Sequence, residues 1–148
     1  LKKSNKINKK IYISDVLIYL KKKIHLKKNN IILRSKKGNY NLNEILYRLA
    51  YHDFYFCYKY LKRGKIKIFK KYKSGKLELI IKNKYSYFNF IYDLRNNRKQ
   101  HLYNNENISN KQDPLKNMLI TILYRKPNFT ENHKRNLFAL KLIEKIKL

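Results

Sequence analysis

The imbalance of charge constrains this chain more than any other feature. Lysine and arginine together number 37, against nine aspartate and glutamate residues, so the net charge is +28 at pH 7. Charges of one sign repel each other in a compact state, and a polyanionic partner removes this repulsion. The sequence therefore predicts a protein that binds nucleic acid.

The chain nevertheless has the composition of a folded protein. Hydrophobic residues make up 43% of its 148 residues and aromatic residues 14%, which is too rich for a disordered segment. Lysine, asparagine, isoleucine and tyrosine, all with A/T-rich codons, dominate the sequence. Base composition explains part of the lysine excess but not the scarcity of acids, and it indicates a small A/T-rich genome such as that of an organelle.

Several classes of site lack the residues they need. The single cysteine, Cys57, excludes an intramolecular disulfide and a cysteine-based zinc finger, and it is expected to pack as a small apolar side chain. The four histidines are scattered without the spacing of metal ligands, and no phosphate-binding glycine motif is present. We expect no cofactor, no metal and no small-molecule substrate. No apolar run approaches the ~20 residues of a membrane span.

The sequence of the N-terminal half predicts a basic arm, residues 1–10, followed by a module over residues 11–83. Apolar residues at helical spacing predict an amphipathic helix over 13–25. A short strand is expected at 31–33. A second helix is expected to begin at Asn41, whose side chain can cap it together with Glu44.

Alternation of residues then predicts strands. Tyr55–Tyr58 are expected to form one strand, and 66–68 and 77–81 to pair as a β-hairpin around a turn at 73–76. One hairpin face should pack on the helices and the other should project four lysines, Lys65, Lys67, Lys76 and Lys82. The module would have the order α-β-α-β-β-β.

The second half is expected to form another module, residues 84–148. It begins with a strand over 85–92, has a loop or poorly ordered segment at 103–112, and continues with a short helix from Pro114, a strand at 120–123 and a helix from Thr130. The fold class predicted is α+β, with two small packed modules that meet near residue 83. Most tyrosines and phenylalanines are expected in the core.

Basic residues cluster at three places before residue 100. Each cluster is either a solvated surface or a contact for RNA phosphates, and we interpret all three as candidate RNA-binding residues. They lie on the first helix, in the loop after the first strand and in the loop after the aromatic strand: Lys21, Lys22 and Lys23; Arg34, Lys36 and Lys37; Arg95, Arg98 and Lys99.

The order of these elements resembles a known family. Ile13-Ser14-Asp15-Val16-Leu17 and the residues after it match the opening helix of small-subunit ribosomal protein eight, of the bacterial and organellar type. Leu42–Phe54 is similar to that family's second helix, although Asp53 stands where the family has glycine. The hairpin over 65–81 also agrees, and the resemblance extends over residues 11–148.

In the C-terminal half, Ile120–Leu123 resembles a family strand that precedes an RNA-contacting loop, and Phe129-Thr130-Glu131 resembles the helix start that follows it. Larger and more basic side chains replace the family's serine-rich loop here. The resemblance implies that this loop binds RNA, with Arg125 and Lys126 on phosphates and Tyr124 stacked on an unpaired base or ribose.

The resemblance implies a non-catalytic protein of the small ribosomal subunit. It would bind and stabilise the central domain of small-subunit ribosomal RNA, beside neighbouring ribosomal proteins, in a mitochondrion or, alternatively, a plastid. The main alternative is a metal-dependent RNA-processing nuclease, for which four carboxylates would have to converge: Asp15, Glu44, Asp53 and Glu78. A membrane-active basic peptide would not need the predicted strands.

Overall fold

The computed structural model describes residues 24–108, 114–124 and 128–148. These residues form an α+β fold in which a six-stranded mixed sheet is combined with helices, as the sequence predicts. The strands are β1 (Asn29–Ser35), β2 (Lys67–Lys73), β3 (Lys76–Lys82), β4 (Tyr87–Asp93), β5 (Gln100–Tyr103) and β6 (Glu106–Asn107). The helices are α1 (Leu42–Ile45), a π-helical segment (Leu46–Ala50), α2 (Tyr51–Leu61), α3 (Pro114–Tyr124) and α4 (Phe129–Lys147).

The strands lie in the order β2-β3-β4-β1-β5-β6. β1 and β4 are parallel and central, and the other neighbouring pairs are antiparallel. Because parallel strands need a long crossover, the chain passes from β1 through the helices and the β2–β3 hairpin before it returns as β4. The carboxyl ends of β1 and β4 therefore lie side by side.

One face of the sheet carries the core. Buried residues alternate with half-buried or exposed ones along β3 and β4, as expected for a sheet packed on one side. The buried set of these two strands is Leu77, Leu79, Ile81, Phe88, Phe90 and Tyr92. The Phe90 ring meets Phe54 of α2 edge-on, with ring centroids 5.2 Å apart, so α2 packs directly on this face.

Helix α2 is buried on almost every side because α4 packs against it as well. The Tyr58 and Phe138 rings meet edge-on at 5.4 Å, and the Asn132 amide donates a hydrogen bond of 2.8 Å to the Tyr55 hydroxyl. Aromatic side chains are large enough to fill the space between a sheet and a second helix, and the tyrosine hydroxyl finds a polar partner there.

This double packing explains why one predicted strand is wrong. Tyr55–Tyr58 lie in helix α2, not in a strand. The β-propensity of the aromatic run favours a strand, but burial against two layers suits a helix that is apolar around most of its surface. Cys57 is fully buried in this helix, as expected.

The predicted strand over 120–123 is also wrong, because Ile120–Leu123 continue helix α3 from Pro114. Proline suits the first helical position, and apolar residues at three- and four-residue spacing run on from Leu115 through Met118 to Ile122. Likewise, part of the loop expected at 103–112 forms a hairpin, in which Asn104 and Asn105 turn the chain at positive φ between β5 and β6.

Other local predictions are confirmed. Asn41 caps α1 in a reciprocal capping box with Glu44. The hairpin turn lies at Ser74-Gly75, both at positive φ, which is the geometry that two-residue hairpin turns require. The strands predicted at 31–33, 66–68, 77–81 and 85–92 correspond to β1, β2, β3 and β4.

The predicted modules share one sheet. Residue 83 lies in the turn between β3 and β4, which pair with each other, and β1 of the first half pairs with β4 and β5 of the second. The division into separate modules stays a prediction. The basic arm and residues 13–23 of the first predicted helix lie outside the described residues, and Ile24 and His25 have no regular secondary structure.

The cap at Asn41 can be tested by mutation. Asn41→Ala removes the side-chain acceptor for the Glu44 amide and should lower the free energy of unfolding by about 1 kcal/mol. Urea unfolding measures the change. Asn39→Ala, at an exposed position just before the helix, is the matched control, and an equal loss in both variants would contradict a capping role.

Candidate nucleic-acid interface

Two loops that are distant in sequence meet at the shared carboxyl ends of β1 and β4. The last paired residues of the two strands are Ser35 and Asp93. Beyond them the backbone contacts continue, with the Lys36 amide donating to the Asp93 carbonyl at 3.2 Å and the Gly38 amide donating to the Leu94 carbonyl at 3.0 Å. The loop after β1 therefore runs beside the loop after β4.

Strand β5 brings the end of the second loop to the same place. Gln100 pairs with Ser35, and the Ser35 hydroxyl donates a hydrogen bond of 2.8 Å to the Arg98 carbonyl. Five of the sequence-predicted RNA-binding residues are thus brought together, and we call them the basic edge: Lys36, Lys37, Arg95, Arg98 and Lys99. All are exposed except Lys36, which is half-buried.

Arg34, predicted as part of the first basic loop, has another role. It lies in β1 with its side chain only 15% exposed, and its guanidinium binds the fully buried Asp53 of α2 in a bidentate ion pair. The Nε and Nη2 atoms lie 2.8 and 2.9 Å from the two carboxylate oxygens. The expectation that Arg34 is a loop residue is therefore corrected: it is a strand residue whose guanidinium is paired with a buried carboxylate.

Asp53 accepts further hydrogen bonds from three side chains of β4 and β5. The Tyr92 hydroxyl donates at 3.1 Å, the Tyr103 hydroxyl at 2.5 Å and His101 Nε2 at 3.1 Å. A carboxylate cannot donate, so Nε2 is the nitrogen of His101 that carries hydrogen. We call Asp53 and its four partners the Asp53 cluster.

The pKa shifts in this cluster follow from burial and from the ion pair. Burial alone would raise the pKa of Asp53, but the charge and hydrogen bonds of Arg34 hold it well below its usual range. Burial lowers the pKa of His101, and the nearby carboxylate offsets this only in part. Burial, together with the charge of Asp53, raises the pKa of Tyr92 and Tyr103 well above the ordinary value.

A cavity of about 220 Å³ connects the Asp53 cluster with the basic edge. It is lined by Arg34, Ser35, Lys36, Leu49, Lys99, Gln100 and His101. No carboxylate is among these seven residues, so an anion in the cavity would meet cationic and hydrogen-bonding groups.

Tyr40 holds Lys36 at the rim of this cavity. The Lys36 ammonium donates a hydrogen bond of 2.9 Å to the Tyr40 hydroxyl and lies 4.4 Å from the ring centroid. The hydrogen bond and the charge of Lys36 lower the pKa of Tyr40. A lysine ordered in this way loses less side-chain entropy when it binds a phosphate than a free one would.

The positive surface continues from Arg95 onto the β2–β3 hairpin. Arg95 forms an ion pair with Asp93 at 3.0 Å and shares a cavity of about 190 Å³ with Glu78 and three lysines, Lys71, Lys73 and Lys76. Lys71 and Lys73 were not among the predicted site residues. The available signal in the sequence was the cluster of lysines, Lys70, Lys71 and Lys73, just before and at the start of the predicted hairpin turn.

Of the remaining predicted residues, the structure describes only Tyr124. Lys21, Lys22, Lys23, Arg125 and Lys126 lie outside the described residues. Tyr124 is the last residue of α3, and 82% of its surface is exposed. The resemblance assigns RNA binding to a segment that follows a strand, but the residues before this segment form helix α3.

The carboxylates named for the nuclease alternative lie apart where they are described. Glu44 caps α1, Asp53 is buried in its ion pair, and Glu78 accepts a hydrogen bond from Asn89 on the other face of the sheet. Over residues 24–108, 114–124 and 128–148, no group of three histidine, cysteine or acidic side chains could hold a metal ion. Asp15 lies outside these ranges.

Comparisons with known proteins add no relative. No protein-family model, curated protein or solved structure matches the chain. Within the part of the chain that the structure describes, no helix combines the length and apolar character needed to span a bilayer. A function for this chain therefore has to be inferred from the residues of the site.

Removal of the Asp53 charge should destabilise the protein strongly. Asp53→Asn preserves the size of the side chain but leaves the Arg34 guanidinium buried without its counterion, at a cost of about 3–5 kcal/mol in the free energy of unfolding. The control is Asp93→Asn, which breaks the more exposed pair with Arg95 and should cost at most about 1 kcal/mol. Similar losses in the two variants would contradict the central role of Asp53.

The stability difference between wild type and Asp53→Asn should depend on pH. The folded-state pKa of Asp53 is depressed, so its contribution is present above the unfolded-state pKa of about 3.9 and is lost as the pH falls toward the folded-state value. Urea unfolding between pH 7 and pH 2.5 should show a constant difference at neutral pH that narrows below about pH 4. A difference that stays constant to pH 2.5 would contradict this assignment.

Proposed function

We propose that this protein binds folded RNA through the phosphate backbone and that the basic edge is a principal contact. One observation carries the proposal: the fold places two basic loops, distant in sequence, side by side at the carboxyl ends of β1 and β4. Ligands of open sheets with parallel strands commonly bind at such ends. The two clusters of basic residues in the sequence do not by themselves require the two loops to lie side by side, and the fold brings them together.

The local charge balance favours an anionic ligand. Two carboxylates close to the basic edge, Asp53 and Asp93, are each already paired with an arginine. Glu78, which shares a cavity with Arg95, accepts a hydrogen bond from Asn89. Lys37, Arg98 and Lys99 are exposed, and they form no ion pair with another residue that the structure describes. Their charges are available to phosphates, whose neutralisation releases counterions and supplies most of the affinity in such complexes.

Phosphate contacts imply recognition of shape more than of sequence. Lysine and arginine dominate the basic edge, and they bind phosphate oxygens without reading bases when the bases are hidden. The major groove of an A-form RNA helix is too narrow for side chains to reach base edges. A protein of this kind would act by holding RNA in its folded form, without catalysis.

The setting we propose is the small subunit of an organellar ribosome, where the protein would bind the central domain of the ribosomal RNA beside neighbouring ribosomal proteins. The A/T-rich composition supports an organelle, with a mitochondrion favoured and a plastid as the alternative. In the first half of the chain, a capped helix at Asn41 and the hairpin of β2 and β3 occur where the family resemblance expects a helix and a hairpin. The helical Ile120–Leu123 segment gives the resemblance no support in the second half.

Fractionation of the source cells tests the setting. The chain should sediment with small ribosomal subunits of an organelle, and crosslinking should recover small-subunit ribosomal RNA. Recovery of the chain apart from any ribosomal particle would overturn the ribosomal proposal while leaving RNA binding to be judged by direct titration.

Direct titration tests the basic edge. The double variant Lys37→Ala/Lys99→Ala should weaken binding to a structured RNA and reduce the slope of log K against log salt by roughly 0.7–0.9 for each phosphate that the variant no longer neutralises. The control, Lys141→Ala/Lys145→Ala, removes the same charge from exposed positions on α4. Fluorescence anisotropy at several salt concentrations measures both, and equal effects would show that net charge alone produces the affinity.

A further inference from the structure

A third cavity lies at the opposite end of the sheet from the basic edge. Its volume is about 310 Å³, and it is formed where the C-terminal end of α2 meets the segment before β1 and the turn before β4. The lining residues are Leu26, Lys27, Lys28, Tyr60, Arg63, Tyr85 and Ser86. Two tyrosines and three cations therefore face one space, and none of these seven described residues is a carboxylate.

The turn that carries Tyr85 is fixed by one side chain. Asn83 Oδ1 accepts hydrogen bonds of 2.8 Å from the backbone amides of both Tyr85 and Ser86. Its Nδ2 donates to the Tyr60 carbonyl at 3.0 Å. Asn83 thus ties the turn to the end of α2 and holds Tyr85 and Tyr60 on the walls of the same cavity.

The anchored turn leaves Tyr85 at the surface. Tyr85 is 55% exposed, whereas Phe88, Phe90 and Tyr92, which follow on β4, are fully buried. A large aromatic ring that projects from an anchored turn and contacts water can stack on another flat group. The nearest cations lie over the tyrosine rings, with the Lys84 ammonium 5.7 Å from the Tyr85 centroid and the Arg63 guanidinium 5.7 Å from the Tyr60 centroid.

We propose that this cavity binds one unpaired nucleotide, with its base stacked on Tyr85 and a flanking phosphate on Arg63 and Lys28. Single-stranded RNA is recognised by this combination of aromatic faces and cations. The cavity is at the lower end of the range of ligand sites, about 300–1,000 Å³, which suits one nucleotide. An acidic peptide would satisfy the cations but would leave the exposed ring without a planar partner.

The inference deepens the proposed function, because it assigns an unpaired nucleotide of the same RNA to a second site. The two sites are distinct in position: the basic edge follows Asp93 at one end of β4, and the nucleotide cavity precedes Tyr87 at the other. Six residue steps along a strand separate these ends by about 20 Å. They are also distinct in chemistry, since only the second offers an exposed aromatic ring among its cations.

Binding of two fluorescent RNA probes to the full-length protein tests the inference. The probes are an eight-nucleotide oligoadenylate strand and a blunt duplex of eight base pairs, which has no unpaired base. Tyr85→Ala should raise the Kd for the single strand by about tenfold, as expected for loss of one stacked base, and should leave the Kd for the duplex within about twofold. Tyr85→Phe, which keeps the aromatic face, should retain the single-strand affinity of the wild type within about twofold.

Tyr72→Ala is the matched control, because Tyr72 is another exposed tyrosine among lysines, on edge strand β2. Tyr72→Ala should change the Kd for the single strand no more than it changes the Kd for the duplex. An unchanged Kd in Tyr85→Ala, an equal loss on strand and duplex, or an equal loss in Tyr85→Phe would overturn the nucleotide site while leaving duplex binding by the basic edge intact. If the wild-type protein bound neither the single strand nor the duplex, the proposed function would be overturned as well.

Discussion

The buried carboxylate of Asp53 is the interaction on which the rest of the structure depends. It is fully buried in α2 and is bound by Arg34 of β1, Tyr92 of β4, and His101 and Tyr103 of β5. One charged group thus fixes the helix against three strands. Burial of a charge costs several kcal/mol unless its hydrogen bonds are complete, so these five residues have to keep this arrangement for the fold to be stable. The strands that they hold are those whose ends carry the basic loops.

The few acidic residues that the structure describes serve the fold and leave the surface positive. Glu44 and Glu131 lie in the first turns of helices, where a negative charge is favourable. Asp53 is buried, and Asp93 anchors Arg95. These four carboxylates therefore provide local order, whereas Glu78, which accepts a hydrogen bond from Asn89, lies beside Lys71, Lys73 and Lys76 on the hairpin. A chain with +28 net charge keeps most of its repulsion on the outside, where counterions or a polyanion can screen it.

The sequence was sufficient to predict local elements whose residue types and spacing are characteristic. It was insufficient where tertiary packing determined the secondary structure. The asparagine cap, the Ser74-Gly75 turn and the alternating strands β3 and β4 follow from residue type and spacing. Tyr55–Tyr58 did not, because their helical form depends on two packing layers that one sequence does not reveal. For the site, the two basic loops were predicted separately, but their meeting depends on the parallel pairing of β1 and β4. The pairing of Arg34 with Asp53 carried no local signal, since the two residues are 19 positions apart.

Strand β4 has a consequence for any RNA that contacts both ends of the sheet. It is a central strand, paired along its length with β3 on one side and β1 on the other, so it cannot stretch or bend independently. The distance between the two ends of β4 is therefore fixed at about 20 Å. An RNA whose backbone lies on one end must present its unpaired nucleotide at that spacing in order to reach the other. A rigid strand can in this way select among RNA folds by the distance between two of their features, without identifying any base in the sequence.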